Sequence, residues 1–194
     1  TVVPYTTLFR SEEEAIGAAL KGGRRRMAVH SEDEARLKER NSFAKTGDPR
    51  THPVWRDAET ARLSTERVLR LARAAGRKLH VLHVTTADEL PLLADARDFA
   101  TVETTPQHLT LAAPECYERL GTYAPMNPPI REAHHREALW KAVSEGLVDV
   151  IGSDHAPHTR DEKDKTYPDT PTGMPGVQTL APILLDHVNA GRLS

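Results

Sequence analysis

Val150-Ile151-Gly152-Ser153-Asp154-His155-Ala156-Pro157-His158 sets one acid and two imidazoles at the end of a short apolar run. A run of that length, bounded by Gly and Pro, reads as a buried strand and the loop that leaves its C-terminal end. Two earlier stretches have the same form. Met27-Ala28-Val29-His30 leads into Ser31-Glu32-Asp33-Glu34, and Leu79-His80-Val81-Leu82-His83-Val84 leads into Thr85-Thr86-Ala87-Asp88-Glu89. Ser31 with Glu34, and Thr86 with Glu89, have the spacing of a capping box that opens a helix. Strands are expected at 27–30, 78–84, 100–104 and 148–153, each followed by a helix pattern. Such alternation predicts a parallel sheet with helices outside it.

The helices are legible from their ends. Residues 58–75 carry Leu63, Val68, Leu69, Leu71 and Ala72 at helical spacing, and Gly76 follows as a left-handed stop. Residues 132–145 place Leu139, Trp140 and Val143 on one side before Gly146, with Trp140 read as a core anchor. Residues 177–189 close the chain, with Leu180, Ile183, Leu184 and Val188 expected as a buried stripe. The basic run 21–26 reads as a helix C-terminus and solvated turn. Residues 42–57 read as turns, with His52 a loop residue. Residues 156–176 are long enough to form a lid, and their charged run 160–165 reads as a solvated face.

In a (β/α)₈ barrel the C-terminal strand ends converge on one face, which is where such a fold carries its chemistry. The expected class is therefore α/β, a partial (β/α)₈ TIM barrel, because 194 residues fall short of the ~250 that a complete barrel takes. Asp154 is the first catalytic candidate, as a carboxylate able to bind a metal and move a proton. His30, His83 and Asp154 lie at the ends of separate strands and fit a catalytic zinc site, which uses few protein ligands so that one position stays open. Side chains alternate along a strand, so only one of His80 and His83 is expected to face the barrel axis. His83 is assigned inward and His80 to packing or surface. Of the other histidines, His134 and His135 read as surface residues at a helix start, and His187 suits a helix end. His108 reads as structural, with a place beside the site as the alternative.

The runs AVHSEDE, HVLHVTT, VETTPQHLTL, APMNPPIRE and GSDHAPH, in this order and spacing, closely resemble the dihydroorotase family of the amidohydrolase superfamily. The likeness covers nearly everything from residue 12 onward. It implies a metal-dependent hydrolase barrel, of which the chain holds roughly strands 5 to 8 and their helices. It further implies that His30 and His83 bind metal, and that Asp154 binds the other metal and acts as general base and then acid. Asn127 and His158 would contact substrate, and Thr172 and Gly173 would do so through their backbone. The cofactor implied is zinc, two ions per intact site. The family also needs a His-x-His pair on the first strand and a carboxylated Lys or an Asp on the fourth. No His-x-His occurs in this sequence, and no Lys precedes Lys21.

The implied reaction is the interconversion of dihydroorotate and N-carbamoyl-aspartate in pyrimidine biosynthesis, with the fragment alone inactive. Two rivals stay open. One is a hydantoinase- or allantoinase-type cyclic amidohydrolase; the other is a non-catalytic dihydroorotase-like scaffold subunit serving a carbamoyltransferase. A half-barrel also has two open sheet edges, so association or aggregation is expected, including a homo-oligomer.

Pro4-Tyr5-Thr6-Thr7-Leu8-Phe9-Arg10-Ser11 reads like a translated sequencing adapter. Residues 1–11 are thus expected to be foreign or disordered, and 12–194 to be the barrel segment; the alternative is an authentic strand. With 26 basic and 28 acidic residues there is no electrostatic case for nucleic acid or a membrane surface. The partner expected is a small-molecule substrate. One cysteine, Cys116, excludes an internal disulfide, suits a cytoplasmic location and reads as structural.

Overall fold

The computed structural model describes residues 12–193. The expectation for residues 1–11 lies outside the described residues. The elements run α1 (Glu12–Lys21), β1 (Met27–Val29), α2 (Glu34–Glu39), α3 (Asn41–Ala44), α4 (His52–Trp55), α5 (Ala58–Ala75), β2 (Leu79–Val81) and α6 (Leu90–Ala94). They continue through β3 (Ala100–Thr104), α7 (Pro106–Thr110), α8 (Glu115–Leu120), α9 (Ala133–Ser144), β4 (Val150–Ile151), α10 (Arg160–Lys163) and α11 (Leu180–Asn189). Among the described residues the four strands form one sheet in the order β1-β2-β3-β4. Every neighbouring pair is parallel, with Met27 opposite Leu79, Leu79 opposite Ala100 and Glu103 opposite Val150. Sequential parallel strands with helical crossovers are the arrangement expected of a partial (β/α)₈ barrel.

The two faces of the sheet are chemically distinct. Leu79, Val81, Ala100 and Val102 are fully or almost fully buried and pack with Val68 and Ala72 of α5. The residues between them, His80, Thr101 and Glu103, therefore point to the opposite, inner face. There they bond to one another: His80 Nδ1 lies 2.9 Å from Thr101 Oγ1, and its Nε2 lies 3.1 Å from Glu103 Oε2. His80 is thus neither a surface residue nor an apolar packing residue, but half of a polar pair on the inner face.

α5 has the bounds expected of it. Asp57 caps its first turn by accepting from Thr60 N at 3.0 Å, and Gly76 ends it at φ +62°. Trp140 anchors α9 as expected, its Nε1–H donating to Leu109 O at 2.7 Å. Several local expectations are corrected. α2 opens at Asp33, whose carboxylate accepts from Arg36 N, while Ser31 instead pairs with Thr65. His135 is buried and its Nδ1 accepts from Ala87 N at 2.9 Å. No residue of α11 is buried, and Val188 is 40% exposed, so its expected stripe is only half covered. Thr86 and Glu89 do make the reciprocal contacts of a capping box, at 3.2 Å each way. No helix among the described residues is long and apolar enough to cross a membrane.

Candidate functional site

Two non-glycine residues among those described hold a positive φ: His83 at 35° and Asp154 at 42°. A side chain with a Cβ pays for that conformation, so it persists where surrounding contacts over-determine it, as at functional sites. Both stand just past a strand end. The kink at His83 also breaks the strict alternation assumed from sequence, which is how His80 and His83 both come to lie near Glu103. The amide of His83 approaches Glu103 Oε1 at 3.4 Å.

His83 meets His30 across the sheet. His83 Nε2 lies 3.1 Å from His30 Nδ1, with the rings edge to face. The other nitrogen of His30, Nε2, lies 2.9 Å from Glu32 Oε2. Glu32 is buried beside the Arg56 guanidinium, which bonds the same oxygen. Burial alone would raise the Glu32 carboxyl, but the His30 hydrogen bond and the charges of Arg56 and Arg131 outweigh it and hold the group at about 2. An ionised acceptor at Oε2 requires a proton on His30 Nε2, and His30 Nδ1 is the ring nitrogen that faces His83. Burial, with the nearby His30 and His108, pushes His83 down to about 3, so its imidazole is neutral. Neutral imidazole is the form that binds a metal.

The donor chemistry can be tested against a zinc ion. The 3.1 Å separation of the two nitrogens is close to the roughly 3.3 Å between two nitrogens on one tetrahedral zinc. His83 Nδ1 is buried and has no hydrogen-bond partner. Two donors do not make a site, however, and among the described residues no group of three or more His, Cys, Asp or Glu is arranged to hold an ion. The His30–His83 pair fits part of a metal site and not a complete one. Asp154 stands just past β4, close enough to His30 to feel its charge. Burial raises its carboxyl above the usual range, His30 opposes this, and Glu103 adds to it.

The lid, residues 156–176, is tied down along its length. At its base Ala156 N donates to Met174 O at 3.0 Å, and His155 Nδ1 accepts from Gly176 N at 3.1 Å. The charged run 160–165 is solvated as expected except at Lys163, which is buried with its Nζ donating to Pro171 O at 2.8 Å. Gly173 N donates to Pro125 O at 2.9 Å, joining the lid to the loop before Asn127. Gly173 has φ +139°, and a Cβ there would stand 2.7 Å from Ala156 Cβ, so only glycine fits. Asn127 Nδ2 donates to Thr172 Oγ1 at 3.0 Å, and His158 Nε2 lies 3.2 Å from Thr172 O. Asn127, His158, Thr172 and Gly173 are therefore brought together.

Three site residues escaped the reading of the sequence. By spacing Glu32 belongs to a helix start; its distance of two residues from His30 is the available signal. Glu103 sits at an inner-face position of β3, which the alternation with buried Val102 and Thr104 would have marked. His52 was read as a loop residue and is fully buried on α4. His108 is also buried, its Nε2–H donating to Pro128 O at 3.1 Å, and is structural as first read.

No family model matches the chain. It is 38% identical over 169 residues to a dihydroorotase of Halobacterium salinarum, an alignment covering 87% of this chain and 39% of the relative. It is 33% identical over 188 residues to a dihydroorotase of Methanosarcina acetivorans, covering 89% of this chain and 39% of the relative. Among solved structures it superposes on a dihydropyrimidinase from Brevibacillus agri with a TM-score of 0.87 at 26% identity, covering 100% of this chain and 46% of the other. An L-hydantoinase from Arthrobacter aurescens gives the same TM-score at 27% identity and 46% coverage of its chain. The chain spans less than half the length of the relatives it matches. In sequence it is dihydroorotase-like, and in fold it is a partial TIM barrel of the cyclic-amidohydrolase kind.

Proposed function

We propose that the chain supplies the second half of an active site for metal-dependent hydrolysis and formation of a cyclic amide. The substrate pair is dihydroorotate and N-carbamoyl-aspartate, a step of pyrimidine biosynthesis in the cytoplasm. The observation that carries this reading is the facing of His30 Nδ1 and His83 Nε2 at 3.1 Å in a chain 38% identical to a dihydroorotase. The identity to dihydroorotases exceeds the 26–27% to the dihydropyrimidinase and the hydantoinase, which favours dihydroorotate over a hydantoin. Residues 1–11 are proposed to lie outside the barrel segment.

His30 and His83 would hold zinc, with Asp154 as a further ligand, in a two-ion site whose remaining donors lie outside these residues. When bound, the metal would supply a polarised carbonyl and a water acidified toward neutrality. Asp154 would take the proton of the attacking water and deliver it to the departing ring nitrogen. Its raised carboxyl suits that exchange, because a general acid–base works best with a pKa moved toward the working pH. Asn127 and His158 would hold the substrate, with the backbone of Thr172 and Gly173 against it, and the tethered lid would exclude water.

The test joins this chain to the first barrel half of the Halobacterium salinarum dihydroorotase and compares turnover of dihydroorotate, hydantoin and allantoin. Dihydroorotate should be preferred, the chain alone should be inactive, and Asp154→Asn should leave little turnover. Preference for hydantoin or allantoin would move the assignment to those enzymes. Near-normal turnover by Asp154→Asn would remove its catalytic role. Failure to bind Co²⁺ through His30 and His83 would favour a scaffold for a carbamoyltransferase.

A further inference from the structure

His52 lies at the junction of three loops. It belongs to the segment after β1, it touches the Met126–Asn127 turn, and it touches Tyr167 in the lid. Its ring is wholly buried and every polar edge is used. Nε2 lies 3.0 Å from Met126 O and 3.1 Å from Asn127 Oδ1, while Nδ1 lies 3.2 Å from the Tyr167 hydroxyl.

The backbone carbonyl decides the protonation state of this cluster. Met126 O can only accept, so Nε2 carries the proton, and the neutral ring then offers Nδ1 as acceptor to Tyr167 O–H. Burial, with the charge of Arg56 nearby, lowers His52 to about 4, which keeps it neutral. Because Nε2–H is a donor, the Asn127 carboxamide must turn its oxygen toward His52. Its Nδ2 then faces Thr172 Oγ1 at 3.0 Å. An amide nitrogen has two hydrogens, and Thr172 takes one. The other is the unclaimed polar group of a half-buried side chain.

We infer that His52 is a positioning residue that fixes Asn127 as a hydrogen-bond donor, so that this site selects a ligand with an oxygen acceptor, such as a carboxylate or ring carbonyl, over one with a donor there. Without His52 the carboxamide is free to flip and present its oxygen, which repels the same ligand atom. Through Tyr167 the same ring ties this orientation to the docked lid. The inference rests on Asn127 being a substrate contact, and the experiment below separates the two claims.

The experiment is heteronuclear NMR of the full chain, with the Asn127 side-chain amide identified by its loss in Asn127→Ala. In the wild type, His52 should show the Nε2–H tautomer at pH 7, and the Asn127 amide protons should exchange slowly. His52→Leu fills the space without a donor and should speed that exchange about tenfold, as expected for loss of one buried hydrogen bond. His52→Gln places an amide N–H where Nε2 was and should restore slow exchange. A wild-type His52 with the proton on Nδ1, or unchanged Asn127 exchange in His52→Leu, would overturn the inference. If His52→Leu does not fold, the wild-type tautomer and the Gln variant still decide it. Addition of N-carbamoyl-aspartate should shift the Asn127 amide signals in the wild type and in His52→Gln. Signals that stay put while the His52 link holds would overturn Asn127 as a ligand contact, and with it the selectivity, but not the clamp.

Discussion

Replacing Glu32 by Gln keeps the shape of the side chain and removes its charge, which isolates the most heavily buried ionic contact of the site. The carboxylate side chain is 1% exposed, it is bonded to Arg56 and His30, and Arg131 lies close enough to lower it. Removing one partner of such a set leaves the guanidinium charges buried without compensation, which costs about 3–5 kcal/mol. The exposed pair Arg50–Asp48, where Arg50 is 61% exposed, is the control, because such pairs contribute only about 0–1 kcal/mol. Urea unfolding at pH 7 reads the difference. With a slope of roughly 2–3 kcal/mol per molar urea, Glu32→Gln should lower the midpoint by about 1–2 M, and Asp48→Asn by less than about 0.5 M. Co²⁺ titration gives the second reading. Weakening the hold on His30 Nε2 should reduce affinity by about 10–100-fold, the usual effect of losing an outer-shell partner. A midpoint within 0.3 M (roughly 1 kcal/mol) of the wild type would refute the buried-charge reasoning. Unchanged Co²⁺ affinity would refute the orienting role.

Gly152→Ala should destabilise the chain by about 1–3 kcal/mol, the range for overpacking, since a Cβ there would stand 2.5 Å from Glu103 Oε1. Differential scanning of Gly152→Ala and of Gly152→Ala with Glu103→Ala checks this, and the second change should recover part of the loss. Asp57 is acted on by burial, which raises it, but Arg36 and Thr60 hydrogen bonds prevail and bring it to about 2. A folded-state value below the unfolded one stabilises above pH ~4 and is lost as pH falls through about 2. Asp57→Asn should therefore cost about 1–2 kcal/mol at pH 7, discounted for partial solvent screening, and almost nothing at pH 2, as urea midpoints would show. Burial pushes the Cys116 thiol up to about 12, so iodoacetamide at pH 7.5 should leave it unlabelled until the chain is unfolded in urea.

How far the sequence was legible depended on the range of the forces involved. α5 was readable to the residue because its determinants are local: Asp57 at the cap, apolar spacing within, Gly76 at the stop. β3 was equally legible, while β2 and β4 proved shorter than their apolar runs, each ending ahead of a positive-φ residue, His83 and Asp154. The α2 start was misplaced by two residues because Ser31 found a partner in α5, 34 positions away. His30, His83 and Asp154 stand out as candidates because strand ends converge in this fold, and Asn127, His158, Thr172 and Gly173 through family likeness.

The one-dimensional pattern determined the alternation of strand and helix, the parallel sheet and the candidate residues at its C-terminal edge, because period, caps and breakers act over a few residues. Only the tertiary structure decided what those residues touch. The proton on His30, the neutral state of His83 and the orientation of the Asn127 carboxamide depend on Glu32, on burial and on His52. Hydrogen bonding and desolvation act between groups distant in sequence, and no local pattern encodes which groups will meet.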